Sequence, residues 1–281
     1  NHIKIRPLLT DFMDGITHRC GYWRGILAVN LSNGNDAIAL LGNTLATGAI
    51  LWVLVATLAP ISGANFNPTV TLAFLLKKEM SLCLAMIYIV IQISGCIIGA
   101  WLAHAMFELP IIQFATTDRS GIPKILAEAL ATFTLVFAIF GAIRTPKISS
   151  MAVALAIIAG YWWTSSTNFA NLAITIARSL SNSFAGVSPA NVPGFIIGQL
   201  IGAIAATANQ TFYSENLLTK LYKACFEIPT FRKSKVRLAP NGVSSSIEED
   251  LKIKSPQEIT LLIRTAFHAG VEDRVALVTC F

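Results

Sequence analysis

Five stretches of this chain, roughly 36–58, 80–106, 122–143, 149–164 with its flank, and 192–212, are apolar over about the length that crosses a bilayer. In hydrocarbon every backbone N–H and C=O must find a partner within the chain, so such stretches are helices. Composition agrees: 54% of residues are hydrophobic, 13% are charged, and mean hydropathy is +0.63. Soluble domains carry about a quarter charged residues, so a water-facing shell is missing here. The expected fold class is therefore an all-α membrane protein. The net charge of +6 comes mostly from the ends and short loops. With no basic patch interleaved with aromatics, it reads as membrane-flanking charge and excludes a nucleic-acid partner. Cys20, Cys83, Cys96, Cys225 and Cys280 form no CxxC pair. Cys83 and Cys96 lie in apolar runs and are expected to be buried thiols, with no disulfide, metal site or cofactor. The opening stretch, NHIKIRPLLTDFMDGITHRCGYWRG, has no uninterrupted apolar core and is not expected to be a signal peptide.

Two further apolar stretches, 67–76 and 171–181, are only about half a span long, and both begin with asparagine. A helix that starts at mid-depth must line a cavity, because its first turn leaves four N–H groups unpaired. Asparagine is a strong N-cap, and proline is tolerated at the first helical position, where its missing N–H costs nothing. One such interruption reads as a kink or a plain loop. Two at matching positions read as paired half-helices. If each enters and leaves on one side, Lys77 and Lys78, Arg144 and Lys147, and Lys220, Lys223, Arg232 and Lys233 share a face, which the positive-inside rule makes cytoplasmic. The nearly neutral loop 107–121 lies opposite. An N-terminus outside would then leave Lys4, Arg6, Arg19 and Arg24 on the wrong face, so the topology asks for one more helix before residue 36.

Aligning Asn67 with Asn171 lays SGANFNPTVTLA over STNFANLAITIA, with Ser62/Ser166, Thr71/Thr175 and Ala73/Ala177 identical. Each copy is followed by a span with Gln-x-x-Gly, at Gln92 and at Gln199. This is an inverted repeat in form. These residues resemble the aquaporin, or major intrinsic protein, family, whose signature is Ser-Gly-x-x-x-Asn-Pro-Ala at the head of each half-helix. The first copy departs only at Thr69; the second has Leu172 where proline is usual. The similarity runs from about 36 to 208. LAEALATFTL, with Glu128 and Thr132 one turn apart, is similar to the family's helix that opens the second half. Its twin in the first half is absent, so the first helix is expected to be missing. Natural divergence and a shifted reading frame before about residue 30 both account for that gap. The implied layout is a divergent segment at 1–35, an aquaporin-like channel domain at 36–212 with five clear spans instead of six, and a polar cytoplasmic tail at 213–281.

The resemblance implies a passive channel for water and small neutral solutes that excludes protons and ions. Its constriction would be Asn67, Pro68, Thr69, Asn171, Leu172 and Ala173. Two helix N-termini meeting there supply a positive spot and amide donors. Leu172 is expected to loosen the approach to the second half-helix. Family spacing puts the outer filter at Thr47, at Ala159 or Gly160, at Asn168, and at Ile174 where an arginine is usual. Arg178, the nearest arginine, is read as pore-lining or capping without a filter role. Small neutral groups imply a wider filter, suited to polyols or uncharged metalloid hydroxides. Glu128, Thr132, Gln92 and Gln199 are expected to support the half-helices. The family also implies a homotetramer in the plasma (inner) membrane with a cytoplasmic C-terminus. An ion-coupled transporter would use Glu128 or His104, and the latter is expected at the interface. A non-functional truncated member is the other alternative. No nucleophile constellation points to an enzyme.

Overall fold

The computed structural model describes residues 8, 9, 11, 12, 22–143 and 145–227, with the side chains of 22–24, 146, 147 and 211–227 set aside. All regular structure among them is helical. In chain order the helices are α1 (Tyr22–Ser32), α2 (Asp36–Ser62), α3 (Pro68–Leu76), α4 (Leu82–Met106), α5 (Ile122–Ala142), α6 (Pro146–Trp163), α7 (Leu172–Ser179) and α8 (Val192–Glu227). Their ends follow local chemistry. The Asn35 side chain accepts from the Ala37 and Ile38 N–H groups to start α2, and Gly63, at φ 80°, ends it. Ser81 caps α4 through the Leu84 N–H. Pro146 opens α6.

The chain divides into two compact units, Asn1–Gln210 and Thr211–Phe281. Of the second, the backbone through Glu227 is described and is helical; the rest of the expected polar tail lies outside the described residues. In the first unit, α2, α4, α5 and the segment Pro189–Gln210 are long and apolar enough to cross a membrane, and Ile148–Trp163 is a shorter apolar helix. Apolar side chains point outward: Leu45, Trp52, Leu82, Val90, Leu126 and Ile201 are exposed. Polar ones point inward, among them Asn43, Gln92, Glu128, Arg178 and Gln199. Lipid removes the cost of the first arrangement, and internal hydrogen bonds that of the second.

Small residues set the close approaches. A Cβ on Gly198 would lie 2.4 Å from the Ile125 carbonyl oxygen, and one on Gly202 would lie 2.1 Å from that of Ala129. The glycines of α8 thus let its backbone rest on α5. Both short helices, α3 and α7, pack against α4 and touch each other.

Three expectations need correction. A helix does stand before residue 36: α1 has 11 residues and packs on α2 and α4, and residues 8, 9, 11 and 12 are helical as well. Charged and polar residues through 1–24 hide it from any 20-residue apolar window. His104 is buried, not interfacial. Its Nδ1 donates to the Ile111 carbonyl at 2.8 Å and its Nε2 pairs with Ser181 Oγ at 2.9 Å, which ties the loop after α4 to the end of α7. Cys96 is buried as expected, but Cys83 is exposed on the outer surface of α4.

Candidate functional site

The two half-helices meet N-terminus to N-terminus through their caps. Asn67 caps α3 from φ −151°, ψ 123°, its Oδ1 accepting from the Thr69 N–H at 3.0 Å and the Thr69 hydroxyl at 2.7 Å. Asn171 caps α7 from φ −152°, ψ 116°, its Oδ1 accepting from the N–H groups of Ala173 at 2.9 Å and Ile174 at 3.3 Å. Leu172 therefore does not loosen the second approach, because the cap geometry matches that before Pro68. The side-chain amides then cross over. Asn67 Nδ2 donates to the Ala170 carbonyl at 2.7 Å, and Asn171 Nδ2 donates to the Phe66 carbonyl at 3.2 Å. Each amide nitrogen carries two protons, so one on each side is left for another acceptor. Ala173 is buried behind Asn171, against α4.

The loops leading into these caps adopt one unusual backbone twice. Ala64 and Phe66 have φ 50° and 49°; Asn168 and Ala170, at equivalent positions, have φ 52° and 45°. Left-handed φ in a non-glycine residue costs about 1–2 kcal/mol, so something must hold it. Glu128 does this in the second half. Its Oε1 accepts from Ser166 Oγ at 2.6 Å and the Phe169 N–H at 2.9 Å, and its Oε2 from the Ala170 N–H at 2.9 Å and Gln199 Nε2 at 2.7 Å. In the first half Asp11 takes this place: its Oδ2 accepts from the Phe66 N–H at 3.2 Å and Gln92 Nε2 at 2.9 Å. The glutamines are paired likewise, Gln92 reaching Thr71 Oγ1 at 3.2 Å and Gln199 reaching Thr175 Oγ1 at 2.8 Å. Thr132 is buried, but its hydroxyl makes no hydrogen bond.

On the α3 side of the asparagines a cavity of about 90 Å³ is lined by Val55, Asn65, Val70, Phe74, Leu135 and Val153. That is ample for water, which needs only ~10–15 Å³ by this measure. On the α7 side, of the two α6 positions left open by spacing, Ala159 is exposed on the outer surface while Gly160 is buried. A Cβ on Gly160 would lie 2.0 Å from Asn168 Nδ2. Asn168 occupies the space that a side chain there would fill, and donates to the Ile157 carbonyl at 3.0 Å. Ile174 is buried in the cluster that Ala173 and Ala177 form with Ile26, Cys96 and Ala100. The Thr47 hydroxyl turns back to the Asn43 carbonyl at 2.7 Å and does not bond Asn168.

Two arginines stand near this end. Arg119, from the loop before α5, donates through Nε to the Gly186 carbonyl at 2.8 Å, through Nη2 to that of Phe184 at 3.1 Å, and through Nη1 to Ser166 O and Thr167 Oγ1, both at 3.4 Å. Arg178 lies with its guanidinium carbon 4.2 Å from the centre of the Phe169 ring, and that of Arg119 lies 5.4 Å from the same ring. Burial, with repulsion from Arg178 and against attraction from Glu128, lowers the Arg119 pKa to about 10.

Comparison with known sequences matches this architecture to a family. The profile described as "Major intrinsic protein" covers residues 16–207. The chain belongs to the major intrinsic protein family. Among its relatives is Aquaglyceroporin AqpS of Rhizobium meliloti (strain 1021), 45% identical over 185 residues, which are 66% of this chain and 79% of that protein. Aquaporin PIP-type of Atriplex canescens is 30% identical over 61% of this chain and 67% of its own. Aquaporin PIP2-7 of Arabidopsis thaliana is 30% identical over 62% and 68%.

The major intrinsic protein match begins at residue 16, well before the 36 at which the motifs become legible. Three participants escaped the sequence. Asp11 sits in a stretch too charged to read as a span, although Ile5, Leu8, Leu9 and Phe12 recur at helical spacing; a search for a carboxylate matching Glu128 would have found it. Arg119 looked like an ordinary loop charge. Phe169 was one aromatic among many, and nothing local marks it as the ring near two guanidinium groups.

Proposed function

We propose that this chain is a passive transmembrane channel for small neutral solutes, such as polyols and uncharged metalloid hydroxides, and for water, excluding protons and ions. The observation carrying this reading is the reciprocal pair of bonds from Asn67 to Ala170 and from Asn171 to Phe66. They hold two helix N-termini, each with roughly half a positive charge, against one another inside the protein. A neutral solute accepts from the amide protons left over. A cation meets a repulsive field. The constriction is Asn67, Pro68, Thr69, Asn171, Leu172 and Ala173, and the outer filter is formed by Gly160, Asn168 and Ile174 with Thr47 nearby. Resemblance to a relative named as an aquaglyceroporin supports solutes larger than water. The same family resemblance supports a homotetramer in the plasma (inner) membrane, and the charge distribution supports a cytoplasmic C-terminus. The layout proposed is a channel domain at 36–212 between a divergent N-terminal segment and a polar tail.

Stopped-flow light scattering on proteoliposomes, with water, glycerol and arsenite as permeants, tests the proposal. Flux of at least one above that of empty vesicles, linear in its gradient and indifferent to ions, is expected. Verified inserted protein that conducts none of them rejects it, and saturation with an ion requirement would favour a coupled transporter.

A further inference from the structure

We propose that the cavity on the α3 side of the asparagines is a second selecting station of this channel, where Asn65 holds the polar groups of the solute and Phe74 limits its size. This rests on the channel reading above and names residues outside the constriction and the outer filter. The inverted repeat points to the pair. Asn65 stands two residues before Asn67 and Phe74 seven after it; Phe169 and Arg178 stand in the same relation to Asn171. In the second half the equivalent pair is in contact, the Arg178 guanidinium carbon lying 4.2 Å from the centre of the Phe169 ring. In the first half the pair is Asn65 and Phe74, and both line the cavity of about 90 Å³.

Asn65 is 6% exposed, and among the described residues its amide makes no hydrogen bond within the protein. A buried polar group left unmatched is costly, so its NH2 and carbonyl are satisfied by what enters the cavity. Ser149, the other polar side chain on the wall, has a partner of its own. Most of the remaining wall is apolar, with Val55, Leu135 and Val153 contributed by α2, α5 and α6. The Phe74 ring is held from behind. It meets the Phe140 ring edge-on, with centroids 5.5 Å apart and planes at 85°. Phe140 is buried and lies 4.3 Å from Lys77 Nζ, which pairs with Glu79 at 2.8 Å. A ring packed this way does not swing aside for a larger guest.

These features fit one chemical class. An amide that offers donor and acceptor together suits hydroxyl groups, which are both at once. Aliphatic walls and an aromatic ring suit a carbon skeleton. A volume of about 90 Å³ exceeds the ~10–15 Å³ that water needs and falls short of the ~150 Å³ that takes benzene. The station therefore takes short neutral polyols and discriminates against longer ones.

Proteoliposome permeabilities for water, glycerol and the four-carbon erythritol test this. Phe74→Leu is expected to raise the erythritol-to-glycerol ratio about tenfold, the effect of room for one more methylene in a pocket. Asn65→Leu replaces the amide by an apolar group of similar shape and should lower the glycerol-to-water ratio about tenfold. Asn65→Ser, which keeps a donor and an acceptor, should lower it less. Phe137→Leu, at an exposed position on α5, is the control and should leave both ratios as in wild type. An unchanged erythritol-to-glycerol ratio in Phe74→Leu, or an unchanged glycerol-to-water ratio in Asn65→Leu, from protein inserted to the same level, overturns the proposal. So does an equal fall of all fluxes with a lowered thermal midpoint, which marks a purely structural role. A shift in Phe137→Leu as large as that in Phe74→Leu also overturns it. Wild-type protein that conducts none of the three permeants rejects the channel reading itself, and this station with it.

Discussion

Glu128 accepts four hydrogen bonds through its two carboxyl oxygens and donates none of those four. A glutamine there turns an NH2 toward donors. Glu128→Gln is expected to cost about 2–4 kcal/mol, read as a lowered thermal midpoint in detergent; an unchanged midpoint would mean the loop holds its left-handed residues unaided. Asp11→Ala should lower the midpoint in the same direction by freeing the Phe66 N–H and Gln92. Arg119 gives the residue scale a pH dependence. Its pKa is lowered to about 10, well below that of a free guanidinium, so the folded form releases the proton first. Below about 10 the cost of the buried charge is fully present, and stability rises as pH climbs from there toward the range of a free guanidinium. Between pH 6 and 9 cation exclusion should stay constant, and a leak should appear only above about 10. Cation leak in proteoliposomes across that range checks this.

At the scale of elements, the two half-helices show how little the second proline matters. Asn171 already has the extended conformation that a following proline requires. Leu172→Pro is therefore expected to stabilise by about 0.4–1 kcal/mol through the unfolded chain, with solute flux unchanged; a chemical denaturation midpoint that falls would show that Leu172 makes contacts proline cannot. The glycines of α8 behave oppositely. Gly202→Ala forces a Cβ to 2.1 Å from the Ala129 carbonyl oxygen and should destabilise by about 1–3 kcal/mol. Gly141→Ala on α5 meets nothing within 4 Å and should be neutral or stabilising by up to about 1 kcal/mol. Comparing the two thermal midpoints separates helix contact from helix propensity.

For the whole molecule, the charge clusters predict one topology. With Cys83 replaced by serine, a membrane-impermeant thiol reagent should label Ile112→Cys from outside intact cells. Lys78→Cys should be labelled only after permeabilisation; the reverse pattern would invert the proposed orientation.

Much of this was legible without coordinates. Span lengths set helices in lipid because backbone hydrogen bonds have nowhere else to go. The asparagine at the head of each half-length stretch marked a cap because its side chain acts on N–H groups two and three residues away. Those are local causes, and they sit in local sequence. The crossing of Asn67 to Ala170, the reach of Asp11 to Phe66, and the placing of Arg119 and Arg178 about one phenylalanine join residues far apart in the chain. Such contacts follow from how helices pack, and no spacing within a segment encodes them.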